Sequence, residues 1–312
     1  MGAHLDLRGR TQFSFIVVYA VGYVTNDPAI FIGIRSSVIT GIPHRTGHNN
    51  SLLSNFILRG KTIGNTLAGF GNNNQIRNSA RRIMAIYAIG DLHLSVAADK
   101  PMDIFAGWEN HTEKLIANWK KKITDQDTIV LAGDISWEMS LGKAIPDFRL
   151  IHQLPGQKII LKGNHDYWWT SLSKMRETLE KHELDSIHFL HNNSYYVEGV
   201  HICGSRGWIF ENGEPYDEKI IRREALRIEA SLKSRGSEEG ETMLFLHYPP
   251  IYAGQTLEPY IKLMQQYGVS RCYYGHIHGK GYKYAVSGLC RGIEMSLISA
   301  DYLSFDPLLI KK

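Results

Sequence analysis

From position 84 onward, short apolar runs alternate with stretches whose hydrophobic residues return every three or four positions, whereas residues 37–78 hold neither period. The runs 85–89, 128–132, 158–162, 200–203, 243–246 and 271–274 have strand length and give way to Gly, Asp, Asn or His, so they predict strands. Four sets predict amphipathic helices: Phe105, Trp108, Thr112, Leu115 and Trp119; Leu172, Met175 and Leu179; Ile221, Ala225, Ile228 and Leu232; Leu257, Ile261 and Met264. Their aromatics and methionines are read as core stripes. Strands alternating with helices make an α/β domain over 84–312, with residues 236–240 (GSEEG) as a loop and no internal repeat.

Five of the runs end in polar groups of one kind. The first leads into Gly90-Asp91-Leu92-His93, the second into Gly133-Asp134, the third into Gly163-Asn164-His165-Asp166, the fifth into His247 and the sixth into Gly275-His276-Ile277-His278. Ligands of open α/β sheets gather outside the carboxyl ends of strands, so these groups are expected on one patch. Asp91 and His93, like His276 and His278, stand two apart and would face the same way in an extended segment. The preceding glycines permit a sharp turn or a close approach to the neighbouring strand. A bridging carboxylate with imidazoles and an amide oxygen is a mixed N/O donor set, suited to Mn, Fe, Zn or Co rather than calcium.

The blocks DLH, GD, GNHD, an isolated His after an apolar strand, and GHIH, in that order, resemble the signature of the calcineurin-like metallophosphoesterase family over residues 91–278. GSRGW (204–208) and DYWW (166–169) are similar to a bacterial predicted-phosphohydrolase branch of it. The resemblance implies central mixed β-sheets, as a β-sandwich, flanked by α-helices, and two divalent transition-metal ions. It implies Asp91, His93 and His278 on the first metal, Asn164, His247 and His276 on the second, and Asp134 bridging both. His165 matches the family's catalytic histidine outside the metal shell, and Asp166 would orient its imidazole. Phosphomonoesters or phosphodiesters would then be cleaved by a hydroxide bridging the metals. Arg206, after the fourth run, is a candidate phosphate-binding group, and Trp168 and Trp169 are candidates for an aromatic wall or for helix-to-sheet packing.

Charge separates the chain into unlike parts. Residues 1–83 carry nine Lys and Arg against Asp6 and Asp27, a balance of +7; the whole chain is +4, so residues 84–312 stand at about −3. The basic character therefore belongs to the leading segment, and a nucleic-acid substrate, though open to a nuclease of the same fold, is not favoured over a small phosphoester. The apolar run 13–24 behind Arg8 and Arg10 looks like a targeting stretch, and is too short for a comfortable membrane span. Residues 1–83 show no folded domain in their pattern and are read as a non-core, disordered extension: a targeting segment, a flexible interaction arm, or residues preceding a true start at Met84. Cys203, Cys272 and Cys290 form no CxxC pair, and the first two lie in apolar strands as buried reduced thiols, which fits a cytoplasmic enzyme. A non-catalytic scaffold of the same fold would be expected to have lost donors, and none of the pattern is missing.

Overall fold

The computed structural model describes the backbone of residues 2–5, 11–22 and 32–41, and residues 84–208 and 217–312 with their side chains. The chain divides into two units, Met1–Gln75 and Ile76–Lys312. In the first, β1 (Gly2–Leu5), β2 (Thr11–Gly22) and β3 (Ile32–Gly41) pair antiparallel in that order, with Ala3 opposite Phe13 and Val17 opposite Ser37. Most of the apolar run 13–24 is thus β2. Such pairing is carried by main-chain hydrogen bonds, which need no side-chain period to announce them. The rest of 1–83 lies outside the described residues.

In the second unit the first half of the chain runs β4 (Ile86–Ile89), α1 (His111–Lys122), β5 (Thr128–Leu131), α2 (Ile145–Gln153), β6 (Gln157–Ile160), α3 (Leu172–Lys181) and β7 (Ile187–Phe189). The second half runs β8 (Ser194–Val197), β9 (Val200–Ser205), α4 (Glu218–Lys233), β10 (Glu241–Leu246), the short hairpin β11 (Ile251–Tyr252) and β12 (Gln255–Thr256), then α5 (Glu258–Gln266) and β13 (Val269–Tyr274). It ends with β14 (Gly288–Cys290), β15 (Ile293–Leu297) and β16 (Leu308–Lys311).

The strands form a five-stranded sheet, order β16-β4-β5-β6-β7, and a six-stranded sheet, order β14-β15-β13-β10-β9-β8. Within each the central strands are parallel and the edges β16, β14 and β8 antiparallel, so both sheets are mixed, as expected.

Alternate residues of each strand enter different cores, as a period of two dictates. Tyr87, Ile89, Ile129, Leu131 and Ile160 pack with α1–α3 in one cluster, while Cys203, Leu244, Leu246, Cys272 and Tyr274 pack with α4 and α5 in another. Between the sheets lie Ile86, Ala88, Val130 and Ile159 from one and Val200, Ile202, Met243 and Phe245 from the other. The domain is therefore a β-sandwich with helices on both outer faces. Strands covered on both faces read as unbroken apolar runs, which is why they stand out in the sequence.

Two helix expectations change. The first helix begins at His111, not Phe105, because Gly107 (φ 93°) and Asn110 (φ 53°) take left-handed conformations that interrupt it. Phe105 and Trp108 lie on turns instead, and the short α2, with Pro in its first turn, follows a segment without clear period. The other three helices stand where the spacing put them; Ser171 caps α3 by accepting from the Lys174 amide, and Asp217 caps α4 by accepting from Lys219 and Ile220.

Candidate metal centre

The two sheets meet at the carboxyl ends of their parallel strands. The Gly90 amide donates to the Ile298 carbonyl at 2.7 Å and the Ala300 amide to the Gly90 carbonyl at 3.0 Å, joining the end of β4 to the loop after β15. Glycine before the polar groups is a steric requirement at three positions, the first being Gly133, where a Cβ would lie 2.6 Å from the Gly163 amide nitrogen. A Cβ on Gly163 would lie 2.1 Å from Asp134 Oδ1, and one on Gly275 would lie 2.4 Å from Asp91 Oδ2.

The seven expected ligands converge here. Donor atoms of Asp91, His93 and His278 lie within 4.8 Å of one another, as do those of Asp91, Asp134 and His247. Asn164 Oδ1 is 2.5 Å from His247 Nε2 and 3.0 Å from His276 Nδ1, while Asp134 Oδ2 is 3.5 Å from His247 Nε2 and 3.8 Å from His93 Nε2. Asp134 therefore stands between the two histidine sets. The paired ligands converge, but not through an extended backbone: Asp91, His93, Asp134 and His276 have φ of 58°, 47°, 51° and 71°. Left-handed residues after β4, β5 and β13 turn the side chains inward, at a cost of about 1 kcal/mol or more each.

Several site residues are held by partners of their own. The Asp91 carboxylate accepts the His276 amide on both oxygens at 3.0 Å. His247 Nδ1 donates to the Ala132 carbonyl at 3.0 Å, and His278 Nδ1 lies 2.8 Å from Asp301 Oδ1. Tyr282 donates its hydroxyl to the other oxygen of Asp301. Fixing Nδ1 in this way leaves Nε2 free to coordinate. Trp137 stacks on His93 with ring centroids 4.8 Å apart and lies 4.5 Å from His165; Tyr248 lies 4.2 Å from His276. Asp301, Tyr282, Trp137 and Tyr248 belong to no motif, and sequence reading missed them. Only Asp301 had a signal, a polar residue shortly after a strand-length run.

The electrostatics are those of a crowded cation site. Burial pushes Asp91 up, but hydrogen bonding and charge from His278, with His247 and His93, hold it below the ordinary carboxylate range. Burial, then the Asp91 charge, pushes Asp134 well above it. Burial also lowers His93, His247 and His276, the last to about 3, while Asp301 and Asp91 outweigh burial at His278 and raise it to about 10.

These residues fit two cations. With Nδ1–H committed to a carbonyl, the neutral His247 turns its Nε2 lone pair toward Asn164 Oδ1 and Asp134 Oδ2, so acceptors face acceptors. A cation held there would convert that repulsion into coordination and let Asp134 ionise beside Asp91.

His165 sits beside the centre with its backbone amide donating to Asp134 Oδ1 at 2.8 Å, its Nδ1 buried without a partner, and its imidazole held below the usual range by burial and then by His247. Asp166 does not hold that ring. Its carboxylate accepts the amides of Gly163 (2.7 Å), Asp134 (2.9 Å) and Ile135 (2.8 Å) and the Trp168 indole (2.9 Å), and burial followed by the Asp134 charge raises it to about 6. It acts as a buried clasp between two ligand loops, since backbone donors outnumber any the imidazole could offer. Trp168 is core, and Trp169 packs against the same cluster.

Arg206 is not in this centre. Its guanidinium lies 3.7 Å from the buried Glu224 and 5.0 Å over Trp208, because the chain after β9 turns its side chain toward α4 while its carbonyl accepts the His247 and Tyr248 amides. The mouth of the centre is a cavity of about 430 Å³, walled by Met102, Phe105, Trp108 and Trp137 and floored by His93, Asp134, His165, His276 and His278.

A family model of calcineurin-like phosphoesterases matches residues 84–280. The chain belongs to the calcineurin-like phosphoesterase family. Membership makes it a metallophosphoesterase-type hydrolase with metal-binding residues, and gives the sandwich its family context. The chain is 27% identical over 125 residues to an uncharacterized protein of Methanocaldococcus jannaschii, MJ1445, covering 37% of this chain and 68% of that one. Among solved structures it resembles a phosphopantetheinyl hydrolase of Mycobacterium tuberculosis (14% identity, 73% of this chain and 96% of that one, TM-score 0.46). It also resembles AQ665 of Aquifex aeolicus, a protein of unknown function (18% identity, 72% and 95% covered, TM-score 0.40). Among the described residues no helix is long and apolar enough to cross a membrane.

Proposed function

We propose that this phosphoesterase hydrolyses phosphomonoesters or phosphodiesters of small molecules at a dinuclear centre, with Asp91, His93 and His278 on one metal, Asn164, His247 and His276 on the other, and Asp134 between them. The observation that carries this is the convergence of donor atoms: those of Asp91, His93 and His278, and those of Asp91, Asp134 and His247, each lie within 4.8 Å of one another, with Asn164 Oδ1 beside His247 and His276. Bound there, two divalent cations supply Lewis acidity toward phosphoryl oxygens and activate water at neutral pH. The chain's own contribution is placement. Ala132 and Asp301 fix two imidazoles, and the Asp166 clasp holds the Asp134 loop against the Gly163–His165 turn. His165, kept neutral by burial, borders the same cavity and is positioned to exchange a proton with the ester oxygen or to donate to a phosphoryl oxygen.

The apolar walls favour a substrate with an apolar or aromatic portion beside the phosphoryl group over a polyanionic nucleic-acid strand, which calls for Lys and Arg along the groove. Metal analysis of the purified protein, then turnover of p-nitrophenyl phosphate and bis-p-nitrophenyl phosphate, tests the reading. Two transition-metal ions per chain and activity lost in Asp134→Asn are expected. Full activity in that variant with both metals retained would sink the assignment.

A further inference from the structure

A second cavity, of about 260 Å³, lies apart from the metal centre's lining and is bordered by Lys162, Trp169, His191, Ser205, Arg206 and Arg227. Its charges do not balance. Lys162, Arg206 and Arg227 bring three cations, and the carboxylate among them is Glu224, fully buried, whose Oε1 is shared by Arg206 (3.7 Å), Arg223 (3.6 Å) and Arg227 (2.6 Å). Among the described residues the Lys162 ammonium has neither a hydrogen bond nor an ion pair. Two further donors on the cavity's border, Arg206 Nε and Trp169 Nε1, are buried without an acceptor. His191 registers the positive field: burial, then Arg227 and Lys162, lowers its pKa.

Unmatched buried donors cost about 1–3 kcal/mol each. Glu224 Oε2 is also buried without a partner, but one carboxylate faces three guanidinium groups and the Lys162 ammonium, so an added acceptor still has donors and charge to answer. A group that answers several N–H donors and an excess of about two positive charges is a tetrahedral oxyanion, and guanidinium groups match its oxygens bidentately. At about 30 Å³ per water the space exceeds a single phosphoryl group, leaving room for part of whatever carries it.

We propose that this cavity is an oxyanion site, distinct from the metal centre, that binds a phosphoryl group through Lys162, Arg206 and Arg227. The two sites share backbone: Lys162 is two residues before Asn164, and the Arg206 carbonyl accepts the His247 amide at 3.1 Å. The phosphoryl group belongs either to a separate ligand or to a substrate carrying a second phosphate.

Inorganic phosphate, titrated into the full chain after chelator treatment and followed by calorimetry, tests the site without recourse to catalysis. Saturable binding is expected, about tenfold or more weaker in Arg227→Gln and in Lys162→Gln and retained in Asp134→Asn. Arg227 is partly exposed on α4 and Glu224 keeps two other guanidinium partners, so the fold is expected to survive; Lys162→Gln provides a second, independent loss of charge. Absence of saturable binding, or affinity unchanged in both variants, overturns the proposal. With metals restored, a KM raised in Arg227→Gln for a nucleoside diphosphate but not for p-nitrophenyl phosphate assigns the site to the substrate's second phosphate. Equal KM for both, with phosphate binding lost, assigns it to a separate ligand. Failure of the hydrolytic reading leaves the phosphate titration intact.

Discussion

His165 and His276 look alike in sequence and differ in what surrounds them. His276 Nδ1 points at Asn164 Oδ1, and burial with His247 drives its pKa to about 3, so its imidazole is neutral, as the proposed ligand role requires. His165 Nδ1 points at no acceptor. His165→Ala is therefore expected to keep two metals per chain while turnover falls about 10²–10⁴-fold, and His276→Ala to lose metal as well. If His165 protonates the leaving group, the fall is smaller for p-nitrophenolate than for an alkyl alkoxide; an equal fall indicates stabilisation of the phosphoryl oxygens. Loss of one metal in His165→Ala would show it to be a ligand. Asp301 holds His278 from behind, so Asp301→Asn is expected to weaken metal binding about 10–100-fold, read by metal titration. The seven donors were legible because each follows an apolar strand in a fixed short block. Asp301, Tyr282 and Trp137 were not, because they reach the site by tertiary packing from segments without a repeating signal. Arg206 stands outside the metal centre because a residue just past a strand can turn to either face, and Asp166 misled because its sequence neighbour is not its hydrogen-bond partner.

At the scale of elements, β6 carries a buried cation into the core. The Lys158 ammonium is bonded to the carbonyls of Leu154 and His152 and to the Ser186 hydroxyl; burial lowers its pKa from 10.5 to about 8, against the pull of Asp125 and Asp185. Above the folded value the native state has released a proton that the unfolded chain still binds, so this group raises stability as pH climbs from about 8 to about 10.5. The urea midpoint of the wild type is expected to gain on that of Lys158→Met across this window, whereas parallel curves would exclude the effect. Strand and helix positions were largely legible because the sandwich buries both faces of each sheet and one stripe of each helix. The strands β7, β8, β14, β15 and β16 were not, since their partly exposed faces dilute the apolar signal, and α2 is too short to display a period.

At the scale of the whole molecule, the unit Ile76–Lys312 holds the three apolar clusters found among the described residues and every proposed ligand. A chain beginning at Met84 is accordingly expected to melt within a few degrees of the full chain and to turn over p-nitrophenyl phosphate equally fast. A large fall in either quantity would make residues 1–83 part of the working enzyme. The order of motifs made the fold class legible, while the strand pairing within 1–41 was not, because pairing partners are chosen by backbone complementarity over distances that a local pattern does not encode.

Each proposed metal draws ligands from both sheets: Asp91, His93 and Asn164 follow strands of the five-stranded sheet, and His247, His276 and His278 follow strands of the six-stranded one. The cations would then act as rivets through the seam, and occupancy would be thermodynamically linked to how the sheets sit on each other. The affinity for metal becomes a property of residues that never touch it. Trimming Met243 or Ile159, buried between the sheets, should loosen the rivet holes as surely as altering a ligand, and the loaded protein should tolerate such trimming better than the stripped one.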